Sequence, residues 1–465
     1  MMMLAFMCGV FVPGLLGWGV IKNIFTNKRL PLFWETALGW GLGVGLIAQV
    51  MLLLGMAKIP YLPEIIGPVV LWPTAILLYL AMRRNAPRPV FRTFARPRPI
   101  LWDGILFVLG AYVLFQVFFV FWEAFNLPLY SWDAIASNMF KAKVIFYERS
   151  LEYLPRTPRP TYPLHTELFQ VWLAVMTGGW DEQLIKLPFP FYYLAFLVIS
   201  FFFMKTLTSW RWGVVGVFLL TSAGFFTHHA TMAYRDFPLM FYTCSTIILL
   251  LLWDRQKEDA WLWLAGLFAG MTTFVKSEGT LYAGIPLMLV AGLLFCRRDK
   301  SPRKRIGAFL KFFTPALALG LPYFLFRALW LAPQIVVTDK VDVNFNVAQV
   351  ALQVSAETWH RIGVVAAALG KNFFLSGNWN VLWLVLIVSF LRARRLSRQT
   401  KLLAVSLFMY FFMFISGYIF TQYYFWIASS GVPLLSRQIL HVFPLVVFLI
   451  VLLNAAQCSP KSSAE

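Results

Sequence analysis

The chain contains 465 residues, of which 60% are hydrophobic and only 13% are charged. A soluble globular domain has about 25% charged residues, so these proportions exclude a water-soluble protein. The net charge is +20, and strongly basic runs at 83–99, 296–305 and 392–401 lie between apolar segments. This pattern is typical of the positive-inside rule in membrane proteins and argues against a nucleic-acid partner.

Apolar segments long enough to cross a bilayer recur along the whole sequence. They predict an all-α polytopic membrane protein with about 13 transmembrane helices. The apolar segment 168–179 is predicted to dip into the membrane or to lie at its surface. The predicted spans are 3–20, 32–57, 65–82, 101–123, 186–207, 212–229, 237–253, 260–275, 280–296, 308–330, 377–391, 402–420 and 438–455.

The basic residues between the spans predict the orientation of the chain. If the N-terminus lies outside, every basic cluster between spans falls on the cytoplasmic side, and so does the C-terminus. Two long segments without a predicted span, 124–185 and 331–376, then face the outside. The short Arg-rich loops favour the inner membrane of a bacterium as the location.

The first external segment contains the stretch YSWDAIASNMFKAKVIFYERS, which predicts an amphipathic helix over 131–149. Ser131 can cap this helix, and Asp133 lies in its first turn. Asp133 and Lys141 project to its polar side, and the apolar side is predicted to lie on the membrane surface. The stretch PRTPRPTYPLH that follows has four prolines and predicts an irregular, rigid loop folded over a cavity.

Three further positions place ionisable residues at the predicted external ends of spans. Such residues are energetically costly next to the bilayer and are candidates for function. These residues also have structural interpretations. Asp133 or Asp236 can be a carboxylate that stabilises a helix terminus, and Lys141 can contact lipid headgroups. Lys276 and Glu278 can form an internal ion pair, and Arg437 can be a snorkelling arginine. The three pairs are Arg235 with Asp236, Lys276 with Glu278, and Arg437 with His441.

These residues come from distant parts of the chain, yet all are predicted on one side of the membrane. A carboxylate can act as a base or orient a hydroxyl group, and cations can neutralise a phosphate leaving group. The combination indicates transfer of a group from a lipid-linked phosphate donor to an acceptor hydroxyl. A lipid-anchored donor also explains why such chemistry would be carried out by a membrane protein.

The order of the elements resembles the GT-C polytopic glycosyltransferases, in particular the protein O-mannosyltransferase and lipid A aminoarabinose transferase group. In that group an acidic residue follows a span in the first large external loop, and SWDA with Asp133 resembles it. The stretch YPLH at 162–165 resembles a Pro-rich PPL element, with tyrosine in place of the first proline. RDFPL with Asp236, AGMTTFVKSEG with Lys276, and Arg437 with Pro444 resemble the later motifs.

The resemblance implies inverting transfer of a hexosyl or pentosyl group from a polyprenyl-phosphate-linked sugar on the external, periplasmic face. It implies that Asp133 is the general base or orients the acceptor, and that Asp236 is a second carboxylate near the acceptor or the sugar. It implies no catalytic metal, although the two carboxylates could hold a divalent ion. The acceptor is a lipid, a glycan or a protein. Donor-phosphate contacts are assigned to Lys276 and Arg437, supported by Lys141, Arg235 and His441, and further substrate contacts to Tyr162, His165 and Glu278.

The resemblance also implies a division of the chain into four parts. Residues 1–100 contain three helices and a basic linker that precede the usual first helix, and residues 101–330 form a GT-C-like catalytic core with the external loop 124–185. Residues 331–376 form the second external loop, and residues 377–465 contain the C-terminal transmembrane helices.

Two other classes of function compete with the transferase. A transporter or flippase for lipid-linked glycans is expected to show internal repeats and charged residues near the middle of the bilayer. The sequence shows no repeat, and its ionisable residues are predicted at one face. A membrane scaffold without chemistry predicts that neutralising Asp133 or Asp236 changes stability alone.

Overall fold

A computed structural model describes residues 2–26, 30–84, 101–295, 301–335, 356–420 and 432–458, together with Tyr424 and Ile427. These residues form helices and connecting turns, and no β-strand occurs among them. The chain is an all-α polytopic membrane protein, as the sequence predicts. The α-helices are α1 (Met2–Ile24), α2 (Leu32–Met56), α3 (Pro63–Arg83), α4 (Leu101–Asn126), α5 (Met139–Glu148), α6 (His165–Thr177), α7 (Glu182–Lys186), α8 (Pro188–Leu207), α9 (Trp210–Ser222), α10 (Gly224–His229), α11 (Asp236–Gln256), α12 (Ala260–Val275), α13 (Ser277–Phe295), α14 (Pro302–Leu325), α15 (Ala356–Phe374), α16 (Leu382–Arg392), α17 (Arg398–Phe420), α18 (Val432–Leu440) and α19 (Phe443–Cys458).

Nine helices in the described part of the chain are long and apolar enough to cross a membrane. Leu434–Leu440 and Phe443–Gln457 meet at an angle of 51° and make a tenth span if they are counted together. The sequence predicted about 13 spans. The predicted spans 212–229, 260–275 and 377–391 correspond to helices shorter than the roughly 20 residues that a straight crossing needs. In the first of them, Ala223 has an extended conformation and separates α9 from α10.

Helix α11 forms the centre of the bundle. Every residue from Asp236 to Asp254 is buried, and the helix packs against α8, α12, α13, α17 and α18. Its first residue therefore lies deep inside a ring of neighbouring helices. Functional side chains from those helices can reach Asp236 without crossing lipid.

Helices α1 and α2 are in direct backbone contact through glycines. A Cβ atom on Gly43 would lie 1.7 Å from the carbonyl oxygen of Pro13, and one on Gly17 would lie 1.9 Å from that of Gly39. Gly39 and Gly43 are four residues apart, the spacing at which small residues let transmembrane helices approach closely. The α1–α2 contact therefore depends on these missing side chains.

Replacing Gly43 by valine is expected to lower the free energy of unfolding by about 2 kcal/mol or more, because the new side chain would push α1 away from α2. The change is measured by thermal unfolding of the full-length protein in lipid nanodiscs. Gly110→Val in α4 is the control, since a Cβ there would meet no atom within 4 Å. Equal melting temperatures for the two variants would contradict the close α1–α2 contact.

The predicted amphipathic helix is present, but its orientation differs from the prediction. The chain is helical from 132 to 148 and contains a π-helical turn at Ala134–Asn138. Lys141 on the polar side is completely buried, whereas Trp132 is 76% exposed. Met139 lies on the apolar side of the predicted helix, which was expected on the membrane surface, but it is buried inside the protein as well. A π-turn holds an extra residue, so it rotates the following residues away from the positions that a regular α-helix would give them.

The structure describes all of one further predicted segment and parts of two others. The segment 168–179, predicted to dip into the membrane or to lie at its surface, is largely part of α6, which is buried from His165 to Val175. The predicted external loop 331–376 falls partly outside the described residues, and its second half forms α15. Most of the basic run 83–99 also lies outside the described residues.

Candidate functional site

Asp236, the first residue of α11, is the centre of a buried charge network. Its Oδ1 accepts a hydrogen bond from Lys276 Nζ at 3.0 Å and lies 2.9 Å from His441 Nε2. Its Oδ2 accepts two hydrogen bonds from Arg437, from Nε at 3.0 Å and from Nη2 at 2.7 Å. Each carboxylate oxygen therefore has two polar contacts, and three residues supply them. The position also favours a negative charge, since the N-terminus of a helix carries a partial positive charge.

Asp133 is the accessible carboxylate of the same network. Its side chain is 21% exposed, and its Oδ2 accepts a hydrogen bond from Arg437 Nη1 at 2.7 Å. Its Oδ1 lies 3.6 Å from Arg159 Nη1, an ion-pair distance rather than a hydrogen bond. Arg437 thus joins Asp133 to Asp236, and its guanidinium carbon lies 4.6 Å from the ring centre of Tyr234.

A chain of polar side chains closes a ring on the far side of Asp236. Lys276 Nζ lies 3.1 Å from Glu278 Oε1, which also accepts a hydrogen bond from Gln438 Nε2 at 3.4 Å. Tyr282 donates its hydroxyl hydrogen to Gln438 Oε1 at 3.0 Å and lies 3.3 Å from His441 Nδ1. Because His441 contacts Asp236, the ring returns to its starting residue. These contacts fix Lys276 and His441 in place.

A second group of charged residues surrounds Tyr162, and we call it the Tyr162 cluster. It consists of Tyr162, Lys141, Arg159, Arg235 and Glu167. The charged atoms of the three cations lie 5.3 to 5.6 Å from the centre of the Tyr162 ring. Arg235 forms an ion pair with the buried Glu167, and Lys141 Nζ donates to the backbone oxygen of Arg159 at 2.8 Å. The contact between Arg159 and Asp133 links this cluster to the Asp236 network.

Lys141 lies in an electrostatically unfavourable position. Burial, together with the nearby guanidinium of Arg235, holds the pKa of Lys141 well below its usual value, against the opposing effect of Glu167. A charged ammonium in such surroundings is stabilised only if an anion neutralises it. When Lys141 is protonated, the cluster therefore has more positive charge than Glu167 compensates.

The site forms where several helix ends meet. Asp133 follows the end of α4, Asp236 begins α11, Lys276 separates α12 from α13, and Arg437 lies in α18. A helix end has unpaired backbone groups and a short turn, whereas the interior of a helix presents only side chains from one of its faces. The bundle therefore gathers residues that are up to 304 positions apart in the sequence.

The structure brings together nine of the ten residues predicted from the sequence. His165 is the exception, because it lies in the aromatic core, where Nε2 is 3.1 Å from the Tyr242 hydroxyl and the ring packs against Phe274. Burial lowers the pKa of His165 to about 3, so it is a neutral core residue. Asp133, Asp236, Lys276, Glu278, Arg437 and His441 belong to the Asp236 network, and Lys141, Tyr162 and Arg235 belong to the Tyr162 cluster.

Several residues of the site were missed in the sequence. Glu167 is fully buried inside the apolar helix α6, and a carboxylate in such a segment is costly enough to have been noticed. Gln438 lies next to Arg437, but an amide in an amphipathic helix gives no distinct signal. Tyr282 and Tyr234 are aromatic residues in an aromatic-rich chain, so their roles depend on tertiary contacts.

The space between Asp133 and Asp236, considered from the sequence for a divalent ion, holds the guanidinium of Arg437. In the part of the chain that the structure describes, no group of three or more His, Cys, Asp or Glu side chains is arranged to hold a metal ion. The positive charge between the two carboxylates is therefore supplied by the chain itself.

Comparisons of the chain with protein-family models, with curated proteins and with solved structures found no match. The fold and the site define a polytopic helical membrane protein in which helix ends enclose a network of carboxylates and cations.

Proposed function

We propose that this chain is an integral membrane glycosyltransferase that moves a sugar from a polyprenyl-phosphate-linked donor to an acceptor hydroxyl with inversion. The observation that carries the proposal is the difference between the two carboxylates that Arg437 joins. Asp236 is buried and has two polar contacts on each oxygen, whereas Asp133 is partly exposed and accepts one hydrogen bond, from Arg437. Asp133 can reach a substrate, and a base with that access is what the acceptor hydroxyl requires.

In the proposed reaction the acceptor oxygen forms a bond to the anomeric carbon of the sugar. The bond between that carbon and the donor phosphate oxygen breaks, and its electron pair leaves with the lipid phosphate. Asp133 takes the proton of the acceptor hydroxyl. Asp236 has no free oxygen for this task, so we assign it a positioning role instead of contact with acceptor or sugar: it holds Arg437, Lys276 and His441 in place.

Arg437 and Lys276 are the proposed contacts of the donor phosphate. The three hydrogen bonds of Arg437 use three of the five N–H groups of a guanidinium, which leaves N–H groups for a phosphate oxygen. The Arg437 side chain is 22% exposed and contacts Asp133, which is 21% exposed, so both side chains are partly accessible. Fixed positive charge beside the leaving phosphate stabilises the negative charge that develops there in the transition state.

The location of the site supports a donor that arrives through the lipid. The network is assembled at helix ends of the bundle, and the exposed Trp132 is next to Asp133. We propose that this end of the bundle faces the periplasm of a bacterium, with the donor chain in the bilayer.

Asp133→Asn is expected to reduce transfer by about 100-fold or more, because an amide cannot accept the acceptor proton. The measurement is a mass profile of envelope glycolipids and glycans from cells that contain equal amounts of wild type or variant. We expect one glycan species to be lighter by one sugar in the variant, which would also identify the sugar and the acceptor.

The matched control is Asp103→Asn, at the opposite end of α4. Asp103 has the same 21% side-chain exposure and also contacts an arginine, Arg211, at 3.4 Å. Its profile is expected to equal that of the wild type. Unchanged profiles for Asp133→Asn, with the protein folded in the membrane, would overturn the proposed function in favour of transport or scaffolding.

A further inference from the structure

The Tyr162 cluster has an excess of positive charge. When Lys141 is protonated, the cluster has three positive charges, on Lys141, Arg159 and Arg235, and one negative charge, on Glu167. Asp133 lies 3.6 Å from Arg159, but it is held by the closer Arg437. Lys141 is completely buried and pairs with no carboxylate of the described residues, whereas Arg235 pairs with Glu167 and Arg159 is 53% exposed. A buried charge without a counter-charge is strongly unfavourable, so a protonated Lys141 indicates an anion that the chain does not itself provide.

The buried cations retain unused hydrogen-bond donors. Arg235 is 3% exposed, and its Nε has no hydrogen-bond partner among the described residues. Lys141 is completely buried, and its hydrogen bond to the Arg159 carbonyl uses one of its three N–H groups. Buried polar groups in proteins are almost always paired, so unused donors beside an excess positive charge favour an anionic ligand.

The backbone that presents Arg159 is strained and anchored. Arg159 lies between Pro158 and Pro160 and has a φ of 49°, in the left-handed region that residues before proline disfavour. Its carbonyl is held by Lys141, and the hydroxyl of Tyr323 donates to the carbonyl of Thr161 at 2.7 Å. Strained conformations persist where surrounding contacts maintain them, often at binding sites. The Arg159 side chain is 53% exposed, so it lies at the open edge of the cluster.

We propose that the Tyr162 cluster binds a phosphate group of the acceptor, separate from the phosphate of the sugar donor. A bound phosphomonoester carries about −1.5 to −2 charges near neutral pH, so it would stabilise the protonated form of Lys141 and balance the charge that the three cations and Glu167 then have. Arg159 at the open edge would meet the phosphate first, and Lys141 and Arg235 would hold it against the Tyr162 ring. The contact of Arg159 with Asp133 places this phosphate next to the proposed base.

The inference rests on the proposed function for the identity of the molecule that carries the phosphate. The binding of a phosphate group stands on the cluster alone. A phosphomonoester could reach the cluster on a lipid headgroup or on a soluble phosphorylated glycan, and the experiment separates these two sources.

The test uses the full-length protein in nanodiscs of phosphatidylcholine and inorganic phosphate as the probe, with chloride keeping the ionic strength constant. Phosphate is expected to raise the melting temperature of the wild type in a saturable way. Arg159→Gln is expected to weaken the apparent affinity for phosphate by about ten-fold or more, since a charge-assisted hydrogen bond is lost. The matched control is Arg156→Gln, because Arg156 is an exposed arginine of the same loop that contacts Tyr153 instead of Tyr162. It should respond to phosphate as the wild type does.

A second set of nanodiscs contains phosphatidic acid, a lipid with a phosphomonoester headgroup. If the source is a lipid, phosphatidic acid raises the melting temperature of the wild type and removes its response to inorganic phosphate, but it has neither effect on Arg159→Gln. If the source is soluble, the response to inorganic phosphate persists in these nanodiscs.

The same phosphate response in wild type and Arg159→Gln, or no response in either, would overturn the inference. Neither outcome depends on transfer activity. If Asp133→Asn leaves the glycan profile unchanged while Arg159→Gln loses phosphate binding, the proposed function fails and the phosphate site stands. If Asp133→Asn abolishes transfer and phosphate binding is absent, the phosphate site fails by itself.

Discussion

Replacing Asp236 by alanine is expected to lower the free energy of unfolding by about 3–5 kcal/mol, the usual cost of removing one partner from a buried ion pair. The carboxylate is completely buried and contacts Lys276, Arg437 and His441. Its removal would leave the positive charges of Lys276 and Arg437 facing each other across a gap. The change is measured by unfolding the purified protein from mixed micelles with increasing denaturing detergent.

The control is Asp259→Ala, which removes a carboxylate that is 48% exposed and pairs with Lys311. An exposed ion pair contributes between about 0 and 1 kcal/mol, so this variant is expected to unfold almost as the wild type does. Similar small losses for Asp236→Ala and Asp259→Ala would mean that Asp236 does not hold the network together. The positioning role proposed for Asp236 would then be wrong.

The sequence predicted that several residues of the Asp236 network lie on one side of the membrane, but not that they contact one another. Asp236, Lys276 and Arg437 are ionisable residues at the ends of apolar segments, where leaving them unpaired is costly. The positive-inside rule, applied to about 13 predicted spans, predicted these ends on one side of the membrane. The structure shows the contacts themselves, with Asp236 bound to both cations.

The sequence did not predict which side of a helix faces the protein. The stretch containing Lys141 has the same polar and apolar periodicity whether it lies on lipid or on other helices, and the π-turn at Ala134–Asn138 changes the register. His165 ends the stretch YPLH, which resembles a substrate-binding element. In the structure it begins α6, and its side chain lies in the core against Tyr242. Glu167, two residues later, is the residue that reaches Arg235. These outcomes depend on tertiary packing, which the polar and apolar periodicity of the sequence does not determine.

Replacing Arg437 by lysine is expected to reduce transfer by about 100-fold, while destabilising the protein less than Asp236→Ala does. Arg437 binds Asp133 through Nη1 and Asp236 through Nε and Nη2, so one planar group fixes the distance between the two carboxylates. A lysine keeps the positive charge but has a single nitrogen and cannot bridge two carboxylates in a fixed plane. Asp133 would then lose its orientation toward the acceptor, while Asp236 would still face a cation. The measurement is the initial rate of sugar transfer in membranes that contain equal amounts of protein.

Arg398→Lys is the matched control, because Arg398 contacts Asp254 near the end of α11 that is opposite to Asp236. Arg398 binds the buried Asp254 through Nε at 2.8 Å and Nη2 at 2.9 Å, so the substitution breaks the same kind of planar contact away from the candidate site. It is expected to lower stability slightly and to leave the transfer rate within a few-fold of wild type. If both variants lost transfer equally, the loss would reflect stability and not the position of Asp133. If Arg437→Lys kept the wild-type rate, the planar bridge between Asp133 and Asp236 would have no part in the reaction, because charge alone would suffice.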